Sequence, residues 1–420
     1  MSPQAFSFRY FLATIGTSNL AMGLHKVLYP WLVVGVLHES PSRLGLATMA
    51  LLLPNLLFIL PGGVVADRRH RGSWLSFLYL LYLLPLGILL AAVVSGELTF
   101  TLLLMFGITF GTILAFIQPA RESLLGYAPS EVMHQAVAKV MVVQFIAQGV
   151  GFIIAGQLDY ISLPQLLSFQ MLIFLLSSLL MRRCHPLPEK GSEEEAAQAE
   201  KSNKSAAQTW LELREGLALF RDDKGLQHLL FIVFATGFLA FGVYLVGMPL
   251  IARELYNGGA SLYALLQVVF SLGIISTNFG VMKRVKAFSR PGRLMVISFL
   301  MRGSLVGIIA TVPSLWLLFP VVYVWGMFSG LSMTLGRTIL HNQVTHELRS
   351  RAASVYQLCL FGGAPLGAWI CGMTIENLGL GTAFVAIAST TLFVSVVTAL
   401  RSPLWHIRGD IEEDKAEPQQ

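Results

Sequence analysis

The sequence predicts an all-α polytopic membrane protein with twelve transmembrane helices, on three observations. Of its 420 residues 55% are hydrophobic and only 12% charged, against about 25% charged residues in soluble domains. The apolar residues gather in continuous runs, whereas barrel strands would be shorter and alternating. Each run approaches the roughly 20 residues that a helix needs to cross a bilayer.

In chain order the runs are 10–36, 44–66, 73–95, 99–119, 137–158, 163–181, 227–251, 261–282, 294–312, 315–336, 354–375 and 383–401. The first carries a stripe of Ser18, Met22, His25 and Tyr29 at helical spacing, with Asn19 and Lys26 beside it. The second closes on small residues before a basic turn. The fourth contains Gly107-x-x-x-Gly111, a spacing that lets helix backbones approach closely. The fifth carries Gln144, Gln148, Gly151 and Ala155 on one face, and the eighth Gln267, Ser271 and Asn278. The ninth holds Arg302 near its middle, and the tenth repeats the fourth's pattern as Gly326-x-x-x-Gly330. No short apolar region with a small-residue cleavage site opens the chain, so the first run is expected to remain a span.

The runs divide six and six. Residues 1–181 form an N-terminal bundle, 182–226 a linker, 227–401 a C-terminal bundle and 402–420 a tail. Within the linker, 189–207 is charged and rich in Ala and Ser, the composition of a disordered segment. Trp210, Leu213, Leu217 and Phe220 then outline an amphipathic helix. Gly326 follows Gly107 by 219 positions (326 − 107), and Gly330 follows Gly111 by the same 219 (330 − 111). This recurrence marks the bundles as pseudo-symmetric repeats of the kind found in transporters.

Basic residues set the orientation. With the N-terminus inside, cytoplasmic loops hold Arg68, Arg69, Arg71, Arg121, Lys139, Lys283, Arg284, Lys286, Arg290, Arg293, Arg337, Arg349 and Arg351, whereas the opposite loops hold Arg43 and Arg253. The net charge of +6 is therefore topological and makes no case for nucleic acid. The localisation expected is the inner (plasma) membrane, multi-pass, with both termini cytoplasmic. Cys184, Cys359 and Cys371 follow no disulfide or metal spacing. A G-x-x-x-x-G-K-[ST] phosphate loop is missing, as is any legible nucleophile–base pair. The chain is expected to be no enzyme, to need no cofactor or metal, and to act as a monomer.

The turn Pro61-Gly-Gly-Val-Val-Ala-Asp67-Arg68-Arg69-His70-Arg71-Gly72 resembles motif A of the major facilitator superfamily, between its second and third spans. Gly63, Ala66, Asp67, Arg68 and Arg71 fall in register; His70 and Gly72 replace the usual glycine and lysine. Tyr29-Pro30-Trp31-Leu32-Val33-Val34, Gln118-Pro119-Ala120-Arg121-Glu122, Trp210 to Arg221, Thr345 to Arg351 and Gly362 to Gly367 are similar to the drug:proton antiporter-3 branch, which contains macrolide-efflux-like and enterobactin-exporter-like proteins. The resemblance implies the superfamily's fold of two six-helix bundles and proton-coupled efflux of an amphipathic small molecule. It also implies that Gly63, Asp67, Arg68 and Arg71 latch the cytoplasmic gate, with Arg121 and Glu122 as a candidate second gate. Three departures weaken the antiport assignment. Ala21-Met22 replaces a Gly-Asp pair, span four lacks an internal arginine, and Gln148-Gly-Val-Gly151 lacks the antiporter proline.

Each site residue has a plainer reading. The basic turn enforces topology in any membrane protein, Gln and Asn serve as interhelical glue, and Lys26 and Arg302 can snorkel to an interface. Against that, ionisable residues within spans default to function. Asn19, His25, Lys26, Gln144, Gln148, Gln267, Asn278 and Arg302 are accordingly the candidates for the substrate and proton path. Histidine titrates nearest neutral pH, so His25 is the candidate proton carrier, with Asp67, Glu122 or a channel water as the alternative. Lys26 would recognise an acidic substrate. The alternatives to drug efflux are an organic-anion transporter and a transport-dead sensor or assembly partner. Topology has a direct test: Asn203→Cys in intact cells should resist membrane-impermeant maleimide, and labelling from outside would overturn the orientation.

Overall fold

The computed structural model describes residues 7–68, 71–125, 133–184, 220–221, 223–284, 290–312, 314–344 and 348–406. Helices account for the spans in the expected order. In the first half they are α1 (Phe8–Trp31), α2 (Pro41–Arg68), α3 (Arg71–Leu81), α4 (Leu83–Ser95), α5 (Phe100–Leu125), α6 (Met133–Ala155) and α7 (Leu163–Arg182). The third span is thus two helices meeting at Tyr82. The second half contains α8 (Lys224–Ala235), α9 (Met248–Leu250), α10 (Ala260–Arg284), α11 (Pro291–Ala310), α12 (Leu315–Gln343), α13 (Arg349–Leu378) and α14 (Leu380–Arg401). Among the described residues, 11 spans are long and apolar enough to cross a membrane. Span one, α1 running on into the wide turn Leu32–Val36, falls short of that apolarity because of its Thr, Ser, Asn, His and Lys. It is instead packed on several faces, from Phe11 to Trp31.

Local chemistry sets the ends. Asp223 caps α8 by accepting from the Gly225 and Leu226 amides at 2.6 and 3.1 Å. The Ser162 amide donates to Gln165 Oε1 at 3.1 Å in a capping box that opens α7. Gly96, with φ 75°, ends α4 in the left-handed region that favours glycine. Span seven is irregular, with π-helical turns at Thr236–Ala240, Val243–Gly247 and Ile251–Leu255.

Lipid offers helices no hydrophobic reason to associate, so they must approach through small residues. Glycines supply four such contacts. A Cβ on Gly23 would strike the Gln148 carbonyl, pinning α1 to α6, and one on Gly111 would strike the Leu51 carbonyl, pinning α5 to α2. Gly237 and Gly367 bring span seven against α13, and Gly273 and Gly326 bring α10 against α12. In span numbers these pairs are 1–5, 2–4, 7–11 and 8–10. Leu51 and Phe270, whose carbonyls meet Gly111 and Gly326, are 219 positions apart (270 − 51), the offset that relates Gly107 to Gly326. The glycines they receive differ by one helical turn.

The molecule forms two compact units. One gathers α1 to α7 with Tyr244–Val268 and Ala368–Met373; the other gathers Leu211–Val243, Val269–Gly367 and the chain from Thr374. In the first, Tyr29 donates to the Ala47 and Leu103 carbonyls at 3.0 and 3.2 Å, and Ser76 and Ser178 exchange hydroxyl bonds at 2.9 Å. In the second, α11 packs on α12 and α14. The linker helix expected from Trp210, Leu213 and Leu217 lies outside the described residues, as does the tail beyond His406. The three cysteines are free. Cys184 donates to the Ser7 carbonyl at 3.5 Å, and burial pushes its thiol up to about 11.

Gly111→Val should drive a side chain into the Leu51 backbone and destabilise the protein by about 1–3 kcal/mol or more. Gly149→Ala, facing open space, should be near neutral. Thermal unfolding of both variants in detergent checks the contrast.

Candidate functional site

The site begins with a proline. A helical carbonyl accepts from the amide four residues on, but the residue four beyond Lys26 is Pro30, which has no N–H. The freed Lys26 carbonyl accepts instead from the Tyr263 hydroxyl at 3.2 Å. Tyr263 in turn accepts from Gln267 Nε2 at 2.9 Å, and Tyr244 donates to Gln267 Oε1 at 2.5 Å. Trp31 stacks on Tyr263 with ring centroids 6.3 Å apart. A relay of Tyr244, Gln267 and Tyr263 therefore ends on the backbone of Lys26, all inside the first unit.

The Lys26 side chain is exposed, while its neighbours His25 and Val27 are buried. Among the described residues the ion pair is Arg43–Glu39 at 2.6 Å, so no described carboxylate pairs with Lys26.

His25 is differently placed. Its ring stacks on Phe110 with centroids 3.7 Å apart and on Tyr29 at 5.4 Å, with Phe106 at 5.8 Å. Buried in that aromatic cluster, its Nε2 has no hydrogen-bond partner. Asn19 is satisfied within its own helix, donating to the Ile15 carbonyl at 2.8 Å. Asn278 accepts from Thr334 at 2.8 Å and so ties α10 to α12. Gln144 and Gln148 are half-buried on α6, and Gly151 of the same stripe is spent on the contact with Gly23.

Arg302 does not snorkel. Only 3% exposed, it donates to Thr236 at 3.0 Å and Ser332 at 3.3 Å and lies over the Phe299 ring at 5.1 Å. Its partners are neutral hydroxyls from spans seven and ten, and Nε is unpartnered. It belongs to the second unit, whereas Lys26 belongs to the first.

Arg121 is half-buried and Glu122 exposed near the end of α5. The helical backbone runs through Asp67 to Arg68 and resumes at Arg71. The side chains of Gly63, Asp67, Arg68 and Arg71 lie outside the described residues. Sequence reasoning missed Tyr244 and Tyr263. The signal for Tyr263 was Pro30, which guarantees a free carbonyl on Lys26. Among the described residues no group of three His, Cys, Asp or Glu could hold a metal ion.

The apolar helices and their glycine-mediated pairs belong to a membrane transporter of the major facilitator type, as the family model matching almost the whole chain shows. More narrowly, the chain belongs to the transmembrane secretion effector family, whose model matches residues 2–419, in agreement with the drug:proton antiporter-3 resemblance. Solved transporters share the fold at low identity. The nucleoside transporter NupG superposes with a TM-score of 0.72 at 11% identity, covering 94% of this chain and 98% of that one. A bacterial homolog of the human lysosomal transporter Spinster gives 0.68 at 15%, covering 95% of each chain. A D-xylose–proton symporter gives 0.69 at 14%, covering 93% and 97%. No curated protein matches the chain.

Tyr263→Phe removes the hydroxyl that serves the Lys26 carbonyl. The buried acceptor left behind should cost about 1–3 kcal/mol, read as a lowered unfolding temperature. Adding Pro30→Ala restores an amide donor and should recover most of the loss.

Proposed function

We propose that the protein is a secondary active exporter of an amphipathic small molecule bearing an acidic group, held through Lys26. The observation that carries this reading is Lys26 itself. An ammonium within a span is costly unless it faces water or a counter-charge. This one is exposed, and its backbone carbonyl is where a Tyr–Gln–Tyr relay ends. The acidic group of the substrate would supply the missing negative charge. Membership in a secretion family supports export over import.

The driving force in this reading is a proton gradient. His25 serves packing: the stacking on Phe110 supports a structural role and leaves the carboxyls of Asp67 and Glu122 to relay the proton. Asp67 with Arg71 latches the cytoplasmic gate through a charge-assisted bond. The membrane is the inner one, with both termini cytoplasmic.

Flux in proteoliposomes under an imposed pH gradient tests the reading, with an acidic and a neutral amphipathic drug as probes. Lys26→Met should weaken the acidic probe's apparent affinity about tenfold or more and leave the neutral probe nearly unchanged. His25→Gln should keep gradient-driven flux, and Asp67→Asn should lose most of it while still inserting. Unchanged affinity for the acidic probe in Lys26→Met would reject the anion site.

A further inference from the structure

Helix α10 starts at Ala260, behind Asn257-Gly258-Gly259. Its first turn leaves amides without intrahelical partners, and the two glycines have no side chain to cap them. The cap comes from elsewhere in the chain. Asp159 ends the 3-10 turn Gly156–Asp159 that closes span five. Its Oδ1 accepts the Ala260 amide and its Oδ2 the Ser261 amide, each at 3.1 Å. One carboxylate thus holds two orphan donors at the positive end of a 25-residue helix. Gly259 makes the approach possible, because a Cβ there would collide with both carboxylate oxygens.

Asp159 is one of a set of contacts. Gly156 brings span five against Ala264, the His38 ring nitrogen meets Arg253 at 3.1 Å, and Gly45 and Gly372 bring α2 against α13. Each joins a residue of the first six spans to one of the last six, within the first unit. Consecutive spans cross in opposite directions, so the turns after spans one, five and seven share one end, opposite the Asp67 turn. Alternating access, on which this inference rests, requires the two halves of the chain to part at that end in one stage of the cycle.

We infer that Asp159 is the latch of this end: its carboxylate grips the N-terminus of α10 when the end is closed and releases it when the end opens. Asp159 is exposed to solvent, so its bonds are screened and readily exchanged for water. A contact that must break in every cycle needs that modest strength.

Hydrogen–deuterium exchange on the full-length protein in lipid nanodiscs tests the latch without substrate. Asp159→Asn should raise exchange together across residues 37–48, 156–162, 252–268 and 368–373, by about fivefold, the effect of losing a typical helix cap. Asp159→Glu should recover part of the protection. Faster exchange confined to the first turn of α10 would mean that Asp159 only caps a helix, and would overturn the inference; so would no change. Gly259→Ala keeps the carboxylate but blocks its approach, and should give the same joint pattern. That variant carries the test if Asp159→Asn does not fold. Because no substrate is present, failure of the latch leaves the Lys26 reading standing, and failure of the flux experiment leaves the latch standing.

Discussion

In hydrocarbon an apolar side chain gains nothing by leaving lipid for another helix, and every backbone polar group must find a partner inside the protein. Helices then hold together where their backbones come close enough for dispersion to add up and where polar groups bond across them. Gly23, Gly111, Gly237, Gly273, Gly326 and Gly367 provide that closeness, and a methyl group at any of them would meet a neighbouring carbonyl. The same pairing of spans occurs in each half of the chain. The rest of the structure is arranged around these contacts. Tyr29 can bridge two carbonyls because Gly107 leaves room for its hydroxyl, and Arg302 reaches Thr236 and Ser332 across helices already in place.

The second demand, a partner for each backbone group, creates the site. Pro30 leaves the Lys26 carbonyl without a donor, and Tyr263 meets it from another span. That single bond ties the first span to the eighth beside an exposed ammonium. The two intramembrane cations reach different solutions. Arg302 is buried and dispersed over hydroxyls and an aromatic face, a structural use of a guanidinium. Lys26 lacks such a shell among the described residues, and the proposed export of an acidic substrate gives its charge a use.

Much of this is legible in the sequence. The twelve spans are, because membrane thickness dictates their length, and so are the GxxxG pairs, because small residues at that spacing have few other uses in lipid. Lys26 stands out as an ion within a span. The missing parts depend on partners far along the chain. The stack of His25 on Phe110 joins spans one and four, so His25 alone looks like a free titrating group. The capping of α10 by Asp159 spans about a hundred positions, and only Gly258-Gly259 hints that the cap is borrowed. The break at Tyr82 is legible too, since Pro85 has no amide for the Leu81 carbonyl, and the π-helical turns of span seven fall around Gly237, Gly247 and Pro249.

The account rests on Lys26 facing an aqueous substrate path. Lys26→Cys, in a background with Cys184, Cys359 and Cys371 replaced by serine or alanine, can be challenged with a charged, water-borne thiol reagent in membrane vesicles. The account predicts that position 26 reacts with the water-borne reagent. A thiol silent to the water-borne reagent yet labelled by a lipid-soluble one would place residue 26 against lipid and contradict the account.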